Sequence, residues 1–159
     1  IASPGPFLPF SYQEKGQDLR YVGAWDAYPA NRRRVADHLA AAGNGHPLIL
    51  SGDIHSFWAM DGRQFADPAE QFDVSEFVTS SISANWPAPL AEPVSDNLGN
   101  NPQVEYYEPA YRGYLLHDIN ARNWTVTARG VIDAKIPSSG VKTLATFDVA
   151  HGQPGFQQR

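Results

Sequence analysis

Ten consecutive residues, Leu48-Ile49-Leu50-Ser51-Gly52-Asp53-Ile54-His55-Ser56-Phe57, hold the most informative chemistry in this sequence. A short apolar run ends at Gly52, and a carboxylate and an imidazole follow, two residues apart. On an extended backbone side chains alternate, which predicts Asp53 and His55 on one side and Ile54 on the other. Just past the carboxyl end of a strand, where open α/β sheets receive their ligands, such a pair can bind one metal ion or two adjacent ones. Gly52 is expected to let the backbone turn sharply and approach a ligand closely. The bland alternative is a turn aspartate beside a surface histidine, and the Asp-x-His spacing alone does not separate the two.

The elements that must position this pair are partly legible. A helix is expected over Asn31–Ala42, with Asn31 as N-cap, Val35, Leu39 and Ala42 at helical spacing, and Gly43 at the left-handed C-cap position. A tight turn at Asn44-Gly45 leads into Pro47–Ser51, which reads as a buried strand. Val74–Ser80 is a second strand candidate. Residues 1–20, rich in Pro and Gly, read as loop, and residues 83–110, with Pro87, Pro89, Pro93, Pro102 and Pro109, read as a long irregular stretch. Tyr114–Ile119 and Trp124–Val131 flank a four-residue linker and predict a β-hairpin, and Thr143–Val149 adds a third antiparallel strand. The pattern is α/β with mixed strand directions.

Composition removes several classes of function. The 159 residues contain no cysteine, which excludes disulfides, zinc fingers, iron–sulfur clusters and thiol nucleophiles within the chain. Twelve Lys and Arg against 17 Asp and Glu give a net charge of −5, which argues against non-specific nucleic-acid binding. No apolar stretch is long enough to be a transmembrane segment. The N-terminus lacks a basic start followed by an apolar run, so it does not read as a signal peptide. The only methionine is Met60, and the chain is expected to be part of something longer.

Asp-x-His after a strand also opens the ligand set of calcineurin-like metallophosphoesterases. The Gly-Asp and Asn-His elements of that pattern do not follow, so that match fails. A different ordered set fits: Trp25-Asp26-Ala27-Tyr28-Pro29-Ala30-Asn31-Arg32, Ser51-Gly52-Asp53-Ile54-His55-Ser56-Phe57-Trp58, Glu76-Phe77-Val78-Thr79-Ser80-Ser81-Ile82-Ser83, then Asn101-Pro102 and Arg112-Gly113-Tyr114. Together these closely resemble the C-terminal part of the alkaline phosphatase D family, the PhoD-like phosphodiesterases and phosphatases, from about Trp25 to Phe156.

The resemblance implies an α/β fold: residues 1–159 would form the C-terminal half of a metallophosphoesterase-like sandwich with a mixed sheet and a terminal antiparallel hairpin. It implies a secreted or periplasmic phosphoester hydrolase with iron(III) and calcium in its site. Asp53 would ligate calcium and His55 iron. The other ligands, among them a cysteine, would come from the N-terminal half of the same precursor, which this chain lacks. The implied partners are that half and a phosphoester substrate. Hard cations prefer oxygen donors and iron also accepts imidazole, but two ligands cannot fix such a site, so the chain alone is expected to bind metal weakly and hydrolyse little.

No catalytic residue is assigned. Trp25, Asp26, Tyr28, Arg32, Ser56 and Asn101 are candidates for supporting the site or meeting substrate. Trp25 and Tyr28 are expected to pack beside it, Asp26 to bind an arginine or a metal, Ser56 to orient His55 or touch phosphate, and Asn101, with Asn100, to place an amide near the opening. As a run of three charges, Arg32-Arg33-Arg34 is expected to be a solvated first helical turn. Thr79-Ser80-Ser81 is rich in hydroxyls, but no Ser-His-Asp order or G-x-S-x-G accompanies it. The competing reading is a non-catalytic binding or interaction module that keeps the fold, with Asp53 and His55 engaged in local hydrogen bonds.

Overall fold

A computed structural model describes residues 1–43, 45–86 and 88–159. Its core is a mixed sheet of short, buried strands: β3 (Leu48–Ser51), β4 (Phe57–Asp61) and β5 (Ser75–Val78). Near-continuous burial is what strands covered on both faces require. β5 lies between β3, which runs parallel to it, and β4, which runs antiparallel, and β6 (Val104–Glu108) extends the sheet beyond β4. A second, antiparallel sheet contains β7 (Gly113–Ile119), β8 (Asn123–Val131) and β9 (Val141–Ala150), with β10 (Gln157–Gln158) at its edge.

The two sheets pack face to face. Val126, Ala128, Ala145, Phe147 and Val149 meet Leu48, Phe57, Ala59 and Phe77. The opposite face of the mixed sheet, with Ile49, Trp58, Met60 and Val78, is covered by Phe7, Leu8 and Phe10, by Ala36 of α1 (Pro29–Ala41) and by Val94 of α2 (Ala88–Asn97). This is the expected α/β sandwich, with the terminal hairpin enlarged to a four-stranded sheet. No helix among the described residues is long and apolar enough to cross a membrane.

Several local expectations need correction. The helix begins at Pro29, not after Asn31, and Tyr28 is its N-cap without a side-chain bond. Proline suits the first helical position because its fixed φ is already helical and its missing N–H would have no partner there. Gly43 does adopt a positive φ of 63° after the helix, whereas Asn44 of the expected Asn44-Gly45 turn lies outside the described residues.

Residues 1–20 are not all loop: β1 (Ser11–Glu14) and β2 (Gln17–Arg20) form a hairpin. Lys15 and Gly16 link them at φ of 52° and 77°, the positive values that two-residue hairpin turns favour. The stretch expected to be irregular, of which Pro87 lies outside the described residues, contains α2 and β6. Pro93 sits inside α2, where it has no N–H to donate to the preceding turn, and its own carbonyl accepts Asn97 Nδ2 at 2.8 Å.

The arginine run is not a solvated turn either. Arg32 is buried and its Nη1 lies 2.6 Å from Asp26 Oδ1, both side chains being 7% exposed. Arg33 stacks 4.2 Å from the Phe72 ring centroid and donates to the carbonyls of Ala69 and Gln71. Only Arg34 is left exposed. Charges distribute themselves this way because successive helical residues point in different directions, so three neighbours cannot share one environment.

β5 carries Glu76 at its centre with no solvent exposure. Its Oε1 and Oε2 accept the Phe7 and Leu8 N–H groups at 2.8 and 2.7 Å, and Oε1 also accepts the Ser51 hydroxyl. Burial pushes the carboxyl up to about 7, against the opposing pull of those three donors. The folded protein therefore holds this proton more tightly than the unfolded chain does. Stability should be highest below the unfolded value near 4.5 and fall as pH rises to about 7, by on the order of 3 kcal/mol from this group.

Urea unfolding across that interval should show the decline, and Glu76→Gln should flatten it even if the variant is less stable throughout. An unchanged slope in Glu76→Gln would refute the assignment. The Arg32–Asp26 pair yields a second expectation. Removing either partner leaves a buried charge unpaired, and unfolding should register a loss of roughly 3 kcal/mol or more. A loss below about 1 kcal/mol, the range of exposed pairs, would contradict it.

Candidate functional site

Strand order dictates the shape of the site. β3 and β4 are consecutive in sequence but lie on opposite sides of β5, and Ser51 and Trp58 both pair with Val78. The connection from Gly52 to Ser56 must therefore arch over the carboxyl end of β5, bridging two inter-strand spacings of about 4.8 Å each. The backbone does this with Asp53 at a φ of 76° and His55 at 55°. Asp and His tolerate the left-handed region better than most residues, but each still costs on the order of 1 kcal/mol there. Gly52 is not among the positive-φ residues, so the sharp turning expected of it falls to its neighbours.

β3 ends at Ser51, so the alternation expected for an extended backbone does not govern residues 53–55. Asp53 and His55 nonetheless line the same cavity, of about 700 Å³, and Ile54 lines it too. Leu8, Phe10, Trp58 and Trp86 supply apolar walls. Asp53 also borders an open groove of about 950 Å³ formed by Trp25, Tyr28, Arg34 and His38.

His55 Nδ1 lies 3.2 Å from the Asn85 carbonyl oxygen. A ring nitrogen facing a carbonyl must carry the hydrogen, which leaves the Nε2 lone pair of neutral His55 available to a ligand. Asp53 is exposed, and its carboxylate has no hydrogen-bond partner among the described residues. One imidazole nitrogen and one carboxylate are suitable donor types for a hard or borderline cation. Their number is insufficient, since no group of three or more His, Cys, Asp or Glu able to hold a metal occurs among the described residues.

The other candidates separate. Asp26 lines the cavity beside His55, and its carboxyl is pushed up by burial although Arg32 and the Phe10 N–H bind it. Of the two roles expected for Asp26, the arginine pairing is the one the structure displays. Trp25 packs edge-on against Phe7 with centroids 5.3 Å apart and donates to Ser3 Oγ at 3.1 Å. Tyr28 is 60% exposed on the groove.

Ser56 is fully buried and neither orients the His55 ring nor faces an opening. Its hydroxyl donates to the Ile54 carbonyl at 3.1 Å and accepts the Trp58 indole N–H at 2.7 Å. Asn101 is also buried, away from any opening. It exchanges bonds of 2.8 Å with the Ser11 backbone on both its N–H and its carbonyl, and donates to the Asn97 carbonyl at 2.8 Å. Both are braces, because a buried amide or hydroxyl must satisfy its hydrogen bonds internally.

Sequence reasoning gave no role to Glu76 and Ser80, named only within a motif and a hydroxyl-rich run, and passed over Asn85. The signal for Glu76 was a lone charge inside an apolar strand. The signal for Ser80 was a hydroxyl-rich run directly after one. A Ser-His-Asp arrangement does exist elsewhere: His46 Nδ1 lies 2.9 Å from Asp73 Oδ1 and its Nε2 lies 2.8 Å from Ser75 Oγ. Ser75 has no exposure, so substrate cannot reach it, and the three residues tie the approach to β3 to the start of β5.

Comparison with known proteins agrees with this architecture. Alkaline phosphatase D of Bacillus subtilis (strain 168) is 24% identical over 154 residues, which are 96% of this chain and 26% of that protein. The chain thus spans about a quarter of the length of the curated relative it matches. A solved structure, "Structure of PhoD", superposes with a TM-score of 0.81 over 99% of this chain and 30% of the other, at 23% identity, and bears on the fold. The sequence model described as PhoD-like phosphatase matches residues 1–128. With that match over most of its length, the chain belongs to the PhoD-like phosphatase family.

Proposed function

We propose that this chain is the part of a metal-dependent phosphoester hydrolase that supplies Asp53 and His55 to a metal centre completed by another, N-terminal part of the same precursor. The observation that carries this reading is the arch itself. It sets two unlike donors at one cavity, one with a ring nitrogen and one with a carboxylate that have no partner among the described residues. Family membership supports the reaction class, phosphoester hydrolysis. The chain's small share of its relative's length supports a shared site.

In this reading Asp53 holds calcium and His55 holds iron(III), hard oxygen for the first and imidazole for the second. Bound there, the cations would clamp the phosphoryl group, activate the attacking oxygen and offset charge on the leaving group. The chain's own residues do the rest. Asn85 fixes which His55 nitrogen faces the cavity, and Phe10, Trp58 and Trp86 give that cavity apolar walls. A periplasmic or secreted location belongs to the same proposal.

The module reading expects both donors to be satisfied locally. His55 uses one nitrogen that way and, among the described residues, Asp53 uses neither oxygen, which favours the hydrolase. Exposed Val22, Tyr28 and Ile82, in segments that flank the arch, suit a surface that another segment covers. On this account the isolated chain should self-associate in sedimentation experiments, and a stable monodisperse monomer would count against the proposed packing. In the full-length protein, Asp53→Asn should reduce hydrolysis of a bis-aryl phosphate by more than about 100-fold, beyond the usual effect of outer-shell partners, with little loss of folding. Normal activity in that variant would remove Asp53 from the ligand set.

A further inference from the structure

Two residues of the arch hold a conformation that L side chains rarely adopt, and such a conformation persists only when its surroundings over-determine it. The segment that emerges beneath it is Thr79–Asn85. Thr79 N–H donates to the Ser51 carbonyl at 2.8 Å, closing the entrance of the arch. Ser80 comes next, 5% exposed, with its hydroxyl 3.1 Å from the His55 carbonyl oxygen and 2.9 Å from the Tyr111 carbonyl oxygen. A hydroxyl has one hydrogen, so it is shared between these two acceptors.

The segment is itself anchored. Gly113 N–H donates to the Ser81 carbonyl at 2.9 Å and Arg112 Nε to the Ser83 carbonyl at 3.1 Å. Asn85 then closes on the His55 ring. His55 is therefore gripped twice by one strand extension, through its backbone carbonyl by Ser80 and through Nδ1 by Asn85. A carbonyl fixed in place at a left-handed residue restricts its ψ, and with it the direction in which the side chain leaves the backbone.

We propose that Ser80 is a positioning residue for His55. Its buried hydroxyl holds the His55 carbonyl against the Tyr111 loop, so that the imidazole turns Nδ1 to Asn85 and presents Nε2 to the cavity. The proposal deepens the functional reading above and rests on it only for the purpose of that orientation, since the hold on His55 can be measured without metal or substrate.

The test is nitrogen-15 histidine spectroscopy of the metal-free full-length protein, with His55 assigned by the signal lost in His55→Gln. In the unmodified protein His55 should be a single Nδ1–H tautomer. Ser80→Ala should unseat the ring from the Asn85 carbonyl and so give a mixture of tautomers. Exchange of the ring proton should become about tenfold faster, the factor expected when the Nδ1–Asn85 bond is weakened by about one neutral hydrogen bond. His46, held by Asp73 and Ser75, should keep its signals and so report an intact fold. Ser80→Thr, which retains the hydroxyl, should restore the single tautomer. A folded Ser80→Ala protein with an unaltered His55 tautomer would overturn the proposal.

Should Ser80→Ala fail to fold, Ser80→Cys carries the same test with a weaker donor of similar shape. A mixed His55 tautomer with unchanged His46 supports positioning, and an unchanged His55 tautomer refutes it. Titration of the unmodified protein with Zn(II) alone separates the two claims. If Zn(II) added to the metal-free full-length protein leaves the His55 signals unshifted, the metal reading is contradicted, and the tautomer result still decides the role of Ser80.

Discussion

The wholly buried carboxylate of Glu76 is the interaction on which the other layers depend. It sits at the middle of the central strand β5 and draws three hydrogens to itself, from Phe7, Leu8 and Ser51. Two of these come from the N-terminal segment, which has no sheet partner at that point and would otherwise leave its N–H groups unsatisfied over an apolar face. The third comes from the last residue of β3. One side chain thereby binds the covering layer to the sheet and fixes the end of the strand from which the candidate site departs. The cost is desolvation, which lifts the carboxyl to about 7.

From that fixed point the site follows by topology. With β5 inserted between two consecutive strands, the five residues Gly52–Ser56 have no route except across its carboxyl end. An arch of that span forces left-handed backbone at Asp53 and His55, and the residues that emerge beneath it are the ones able to brace it. The fold thus places potential ligands and their supports together through a single crossover. It is an instance of the general tendency of α/β sheets to gather ligands beyond strand ends where the order changes.

What the sequence revealed was mostly local. Pro47–Ser51, the Gly43 cap and the hairpin around residues 120–123 carry their own signals in apolar runs, glycine and turn residues. Elements that depend on distant partners were harder to read. β4 lies inside the motif that drew attention for its chemistry. α2 is disguised by Pro89 and Pro93, and β1 and β2 are polar strands, β1 being braced by Asn97 and Asn101 from more than eighty residues away. Arg32 looked like a surface charge because Asp26, its buried partner, lies outside the helix. Asp53 and His55 were legible as a pair, but for an incomplete reason: alternation was invoked where the backbone is left-handed. Ser56 and Asn101 drew attention as polar residues near a motif, yet three-dimensional packing uses them as braces.

Membership of the PhoD-like family and the geometry of the arch lead to one central claim, that Asp53 and His55 are two ligands of a metal centre shared with the remainder of a longer protein. Metal-edge anomalous diffraction from crystals of the full-length protein addresses it most directly. The account predicts anomalous peaks within coordination distance, about 2.0–2.6 Å, of the Asp53 carboxylate and of His55 Nε2. Metal peaks bound wholly by other residues, with Asp53 and His55 facing solvent, would contradict it.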